Sequence, residues 1–433
     1  MARGSCPGLA RPLATGDGLL ARLPAREHEL SAWAALCAIA QEHASGELEV
    51  TARGSLQLRG VRPGTASALQ ALGFDDEPAP ALLCTPLAGR DPAALLDAHA
   101  LAARLRDVLS PVDWLGGLHP KVSVALESGG ALHLDALVAD VRLRPVSASS
   151  LAVLLGGDGL AGRSLGRVAA HDAASCARDL LGVLAHRGTR ARDVLESEGD
   201  GAFRAALGSR LQPGSRPQPR LPVRMLGVHP MHGGRCAVGV GLPFGALDAQ
   251  TFAALVAAAG ERGATSLQPG QRHSVLALDF DAAGARAFQQ VAARLGFALR
   301  DDEPARQIST CAGQPGCATA HLATRPLASE LARGAAALLD SSLRIHLAGC
   351  AKRCAAPHDT ELQLTATNAG CEVRLAVGAR TLRGHWHSHE IAARLADAAL
   401  AVARERAPHE PARAVLARSR AAHGALALER VPS

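Results

Sequence analysis

Hydrophobic and polar residues alternate strictly over ELEVTARGSLQLR, residues 47–59. The even positions are Leu48, Val50, Ala52, Gly54, Leu56 and Leu58; the odd ones from 49 on are Glu49, Thr51, Arg53, Ser55, Gln57 and Arg59. A period of two sends successive side chains to opposite faces, so the pattern predicts a strand with one buried face and one polar row. KVSVALES and ALHLDALVADVRL read as further strands, while SAWAALCAIAQ, QTFAALVAAAGER and SCARDLLGVLAHR read as helices. This mixture predicts an α/β or α+β class.

The pattern also repeats. An ungapped shift of 219 residues places Leu23-Pro24 on Leu242-Pro243, Trp33 on Phe252, Leu36 on Leu255 and Leu48 on Leu267. The same shift places Arg53 on Arg272, Ser55 on Ser274 and Leu56 on Val275. Each copy reads as strand, helix, strand, and one fixed offset over such a stretch points to internal duplication. Between the copies lies LGSRLQPGSRPQPRLP, residues 207–222, with prolines at 213, 217, 219 and 222. Such a segment cannot propagate a helix and reads as a linker. The division expected is 1–78, a first half-domain; 79–206, a central α/β domain; 207–222, the linker; 223–298, a second half-domain; and 299–433, a C-terminal domain.

Composition narrows the function classes. Aromatics make up 2% of the chain, and no basic run is interleaved with them, which argues against a nucleic-acid binder despite a net charge of +6. That charge suits a smaller anionic partner. No stretch approaches a membrane span or a signal peptide's apolar region, so a cytoplasmic protein is expected. In that compartment clustered cysteines bind metal or do redox chemistry more often than they form disulfides. Only two of the 46 basic residues are lysines, Lys121 and Lys352. A compact ammonium kept where the chain otherwise uses Arg suggests a site where size matters.

Four of the ten cysteines fall in two pairs, in TCAGQPGCATA and HLAGCAKRCAA. Cys311 and Cys317 are separated by Gly313, Pro315 and Gly316 and read as a loop; Cys350 and Cys354 stand four apart. Two pairs in Gly-rich loops suit an iron–sulfur cluster, whose thiolates accept varied spacings. Structural zinc is the rival, although its pairs are usually closer in sequence, and unrelated buried thiols are the bland alternative. Cys6, Cys37, Cys84, Cys176, Cys236 and Cys371 are scattered. The polar row at 49–59 has two readings as well: a solvent-facing strand, or a pocket whose arginine forks receive carboxylates.

The spacing C-x5-C, 32 residues, C-x3-C resembles the cluster loops of the nitrite and sulfite reductase superfamily. EVTARGSLQLRG resembles that superfamily's Thr-x-Arg-x-x-x-Gln strand, and LHPKVSVALESGG the segment with two active-site lysines, of which Lys121 matches the first. The resemblance implies an α+β fold: a pseudo-two-fold duplicated architecture with ferredoxin-like half-domains and an iron–sulfur-binding α/β region. It implies a 4Fe-4S cluster on Cys311, Cys317, Cys350 and Cys354, and it puts Thr51, Arg53 and Gln57 at a tetrapyrrole.

One departure changes the expectation. Ser123 stands where the second lysine would be. Reduction of sulfite or nitrite needs cations around a small anion, and one cation fewer weakens that case. GSCPGLARPLATGDGLLARL and GCAKRCAAPH most resemble the precorrin-3B synthase branch, in which the tetrapyrrole is the substrate. That resemblance implies oxygen-dependent hydroxylation and lactone formation on precorrin-3A in aerobic cobalamin biosynthesis, with electrons from a ferredoxin or an NAD(P)H-dependent reductase. Arg53, Lys121 and Arg272 are the catalytic candidates. Thr51, Arg53, Gln57, Arg59 and Lys121 are the substrate-binding ones. The alternative is a sirohaem-dependent sulfite or nitrite reductase with Cys354 as the bridging thiolate. A third reading is a non-catalytic, metal-stabilised binding protein.

Two further motifs compete for a role. Gly157-x-Gly159-x-x-Gly162 has the spacing of a dinucleotide fingerprint, but RSLGRV after it is a poor helix start. HWHSH would set His385, His387 and His389 on one side of a strand, as ligands for a further mononuclear iron or as a surface cluster.

Overall fold

The structure is a computed structural model that describes residues 7–16, 18–76, 80–357, 360–378 and 380–430. Of the motifs quoted above, residues 4–6, Asp17 and His358 lie outside the described residues. The fold is α+β, with four sheets and twelve α-helices among the described residues.

The repeated stretches build two matching sheets. The first runs in the order Leu13–Thr15, Gly18–Leu23, Leu56–Arg59, Glu47–Val50, Ala246–Asp248; the second in the order Gly227–Pro230, Cys236–Gly241, Ser274–Phe280, Ser266–Gly270, His28–Glu29. Each sheet therefore takes its last strand from the other copy. The exchange is reciprocal in register: Leu48 pairs with Leu247, and the positions 219 away, Leu267 and His28, pair with each other. An edge that would otherwise expose unpaired amides is closed by the sister half.

The two long helices of the repeat, Leu30–His43 and Ala249–Glu261, bury the same positions. Trp33, Leu36, Cys37 and Ala40 in one correspond to Phe252, Leu255, Val256 and Ala259 in the other. This is the i, i+3, i+4, i+7 stripe of a helix lying on a core. One continuous cluster of buried side chains runs through both halves, from Leu9 to Phe74 and from Cys236 to Phe297.

The alternating stretch 47–59 is a hairpin, not one strand. Glu47–Val50 and Leu56–Arg59 pair antiparallel around a turn at 51–55, with Gly54 at φ +90°. The alternation survives because Leu48 faces Leu58 and Glu49 faces Gln57, so both arms keep one parity per face. Only Ala52, expected inside, is exposed at the tip.

The third sheet, Arg163–Ala169, Ser150–Gly157, Ala139–Ser147, Ser123–Leu126, Ala81–Cys84, packs against Ala98–Leu109 and Ala173–Arg187. The stretch 131–138, read above as strand, is a loop; Arg142 reaches back to its carbonyls at Leu134 and Leu137. The proline-rich segment runs extended beyond Arg210 and is strapped to this sheet. Arg220 pairs with Glu127 and Asp135, Arg144 donates to Gln218 O at 2.7 Å, and Gln212 exchanges backbone bonds with Arg167. Unpaired, these buried charges would be costly, so each guanidinium is placed on an acid or a carbonyl. The fourth sheet, from Ile308–Thr310 to Glu429–Arg430, is covered on one face by helices that include Thr324–Gly334 and Ile391–Glu405.

Candidate functional site

The polar row of the first sheet is assembled around one carboxylate. Gln57 Nε2 donates to Glu49 Oε2 at 2.5 Å, and Arg22 Nη2 from the adjoining strand donates to Gln57 Oε1 at 3.0 Å. Arg59 stands 3.0 Å from Glu49 Oε2, and Arg325 reaches Glu49 Oε1 at 2.7 Å. A second contact ties Arg325 to Glu47 at 2.5 Å. Arg59 is thus not a bare cation: its charge is shared with Glu49 before any ligand arrives. Strand parity named Glu49 as part of the polar row without giving it a role; Arg22 and Arg325 were not singled out from the sequence, and Arg325 lies on a distant helix.

The two hairpin tips meet each other. Arg272 N donates to Ala52 O at 2.8 Å, His273 Nδ1 donates to Val50 O at 2.6 Å, and Gly54 sits so close that a Cβ there would lie 3.1 Å from the Gly270 carbonyl carbon. Thr51 caps its own turn, accepting from Ser55 N at 3.1 Å. Arg53 Nη1 donates to Val138 O at 3.1 Å, next to the start of Ala139–Ser147. That strand runs parallel to Ser123–Leu126, so exposed Lys121 lies at the same end of the sheet as Val138. The fold therefore gathers Thr51, Arg53 and Arg272 at one junction, with Lys121 at the sheet end that Arg53 touches. Ser123 is buried on its strand, its amide donating to Asp140 at 2.9 Å.

The four cysteines share one end of the fourth sheet for a topological reason. Ile308–Thr310 and Ile345–Ala348 are adjacent and parallel, with Thr310 opposite Leu347, so the chain leaves both strands at the same edge. Cys311 follows the first strand directly and Cys350 follows the second by two residues. Gly349 N donates to Cys311 Sγ at 3.1 Å. Thr319 Oγ1 stands 3.3 Å from Cys317 Sγ and 3.8 Å from Cys350 Sγ. Burial and the neighbouring Cys350 and Cys311 push the Cys354 thiol up, against the pull of Lys352 and Arg59. Thr324 Oγ1 donates to Cys311 O at 2.8 Å and the next residue, Arg325, pairs with Glu49, so the polar row and the cysteine loops are neighbours.

Glycines let the backbone lie close against the cysteine sulfurs. A Cβ at Gly16 would lie 2.8 Å from Cys317 Sγ, and one at Gly349 would lie 3.4 Å from Cys311 Sγ. Gly16 O also accepts from Ala318 N at 2.7 Å, so the first strand pair lies against the cysteine loop. None of the four is in a disulfide, and among the described residues no three His, Cys, Asp or Glu side chains close around a single metal-ion position. Four thiols on two glycine-bearing loops could hold an iron–sulfur group.

The competing motifs resolve otherwise. Gly157–Gly162 connects two antiparallel strands, Ser150–Gly157 and Arg163–Ala169, and no helix follows. Gly159 is small because a Cβ would strike Asp135 Oδ1 at 2.3 Å, a packing reason and not a phosphate cradle. The strand carrying His385 ends at Trp386; His387 caps a short 3-10 turn and stacks on His389 at 5.6 Å. The three rings do not lie on one strand face.

Residues 12–72 match the family described as Nitrite/Sulfite reductase ferredoxin-like half domain. The chain is similar in fold to the NirA protein of Mycobacterium tuberculosis, with a TM-score of 0.74 and 18% identity over 94% of this chain and 84% of that one. It is 36% identical over 382 residues to a precorrin-3B synthase from Sinorhizobium sp, covering 86% of this chain and 82% of the relative. No helix among the described residues is long and apolar enough to cross a membrane. With a duplicated, strand-exchanged core, a polar strand row beside four gathered cysteines, and this degree of identity over most of both chains, the protein belongs to the precorrin-3B synthase family of the nitrite and sulfite reductase superfamily.

Proposed function

We propose that the protein binds precorrin-3A across the polar row and the joined hairpin tips and inserts one atom of dioxygen into it, with a γ-lactone closing from an acetate side chain. The observation that carries this reading is that Arg325, paired with Glu49 in the polar row, directly follows Thr324, whose hydroxyl donates to Cys311 O at 2.8 Å, so an arginine-bearing row suited to a polycarboxylate adjoins the cysteine loops. Arg53, Arg272 and Lys121 supply charge at the tips and the sheet end; Thr51 and Arg59 supply hydrogen bonds along the row, while Gln57, expected to bind substrate, is buried behind it and holds Glu49 and Arg22. Arg forks bind carboxylates in a fixed plane, which orients a large macrocycle better than point charges would.

Cys311, Cys317, Cys350 and Cys354 would hold a 4Fe-4S cluster, which when bound supplies single electrons. In the overall balance one oxygen atom enters the macrocycle and the other leaves as water, consuming two electrons and two protons from an external reductase or ferredoxin. In this reading residues 1–78 and 223–298 form the tetrapyrrole surface, 79–206 carries Lys121, and 299–433 carries the cluster.

Anaerobic purification followed by iron and sulfide analysis, a visible spectrum and incubation with precorrin-3A under air tests the proposal. A brown, haem-free protein whose product gains one oxygen atom supports it. Intense sirohaem bands with sulfite or nitrite turnover would replace it with the reductase reading, and zinc without acid-labile sulfide would sink both.

A further inference from the structure

Arg272 and His273 are successive non-glycine residues at φ +55° and +57°. Left-handed backbone is disfavoured for residues with a Cβ, and two in a row persist only where the surroundings hold them. Besides the bonds to Ala52 and Val50 and that from Leu242 N to His273 O at 2.8 Å, the turn is held by Arg306, whose side chain is only 4% exposed. Its Nη2 donates to Arg272 O and its Nη1 to His273 O at 3.3 Å, so one guanidinium spans both strained carbonyls. Gly241 leaves the room: a Cβ there would lie 3.0 Å from Arg306 Nη1. Asp301 stands between Arg306 at 3.8 Å and Arg272 at 3.7 Å, a loose counter-charge to both. Burial lowers the Arg306 guanidinium to about 10, which leaves it cationic at neutral pH. None of this is needed to close the hairpin, since the arms Ser266–Gly270 and Ser274–Phe280 are already paired.

We infer that Arg306 is a positioning residue: it locks the Arg272–His273 turn, and through the bond from Arg272 N to Ala52 O it fixes the neighbouring tip that carries Arg53. The inference rests on the reading of Arg53 and Arg272 as carboxylate-binding residues. Its physical content is preorganisation, since a tip already held in its binding geometry loses less freedom when the substrate arrives. Lysine cannot replace the fork, because one ammonium on a flexible stem does not span two carbonyls in a fixed plane.

The test compares Arg306→Lys and Arg306→Gln with the wild type in two measurements on the full-length, cluster-loaded protein. Without ligand, hydrogen–deuterium exchange across residues 266–280 and 48–57 should rise in both variants, while the helix Ala173–Arg187 exchanges as before. Anaerobic titration with precorrin-3A should show weaker binding by about tenfold. Turnover at saturating substrate should stay within about twofold, a KM effect without a kcat effect. Wild-type exchange and affinity in Arg306→Lys would overturn the inference, even if Arg306→Gln failed to fold. A wild-type protein that binds no precorrin-3A would instead overturn the substrate reading, and this role with it.

Discussion

Trp33 stacks on Phe252 with ring centroids 5.2 Å apart and planes 15° from parallel, and the two positions are related by the repeat offset of 219. Each ring is fully buried, and Trp33 Nε1 donates to Leu267 O at 3.0 Å. The symmetry axis of the duplicated core therefore passes through a contact between a residue and its own counterpart. Trp33→Ala or Phe252→Ala should each cost about 3–5 kcal/mol of stability. The double variant should cost less than the sum, because each single change already empties the shared contact. Urea unfolding of the three variants checks both statements.

Glu49 is the counter-charge for two arginines, Arg59 and Arg325, in a largely buried row. Glu49→Gln keeps the shape and removes the charge. It should destabilise by roughly 2–4 kcal/mol, since unpaired buried cations are the expensive state. Arg325→Met should restore part of that loss in the Glu49→Gln background, which thermal melts would reveal.

At the cysteine corner, Gly16→Ala places a methyl group 2.8 Å from Cys317 Sγ. Cluster loading should fall while the fold persists, read as iron and sulfide per chain against far-ultraviolet circular dichroism. Cys317→Ser should abolish loading; full iron and sulfide in that variant would refute the ligand assignment.

Acid sensitivity follows from two buried imidazoles. Burial holds His273 and His346 down to about 4, from an ordinary 6.5. Both are therefore neutral in the folded protein at pH values where the unfolded chain takes up protons. Stability should be at its full value above pH 6.5 and fall from there to about pH 4, by about 1.4 kcal/mol per pH unit for each imidazole. His346→Asn should flatten that slope by one proton. Urea midpoints measured from pH 7.5 to 4.5 decide it.

The duplication, the helices around Trp33 and Phe252, and the polar parity of 47–59 were legible in the chain because each rests on local periodicity. The four cysteines were legible because their spacing is itself the chemical signal. Local pattern could not separate one long strand from a hairpin of matched parity, since Leu48 opposite Leu58 preserves the alternation through the turn. Nor could it tell a phosphate-binding turn from Gly157–Gly162, where the deciding contact is Asp135, more than twenty residues away.

What the sequence by itself determined is therefore the kind of elements and the residues to watch: two copies of one unit, a polar row and two cysteine pairs. Tertiary structure decided the rest. It exchanged the edge strands between the copies, brought Arg272 against Ala52, set Glu49 between Arg59 and Arg325, and laid Gly16 against Cys317. Those are contacts between residues far apart in the chain, and their free energy depends on burial and charge pairing that exist only once both partners have left water.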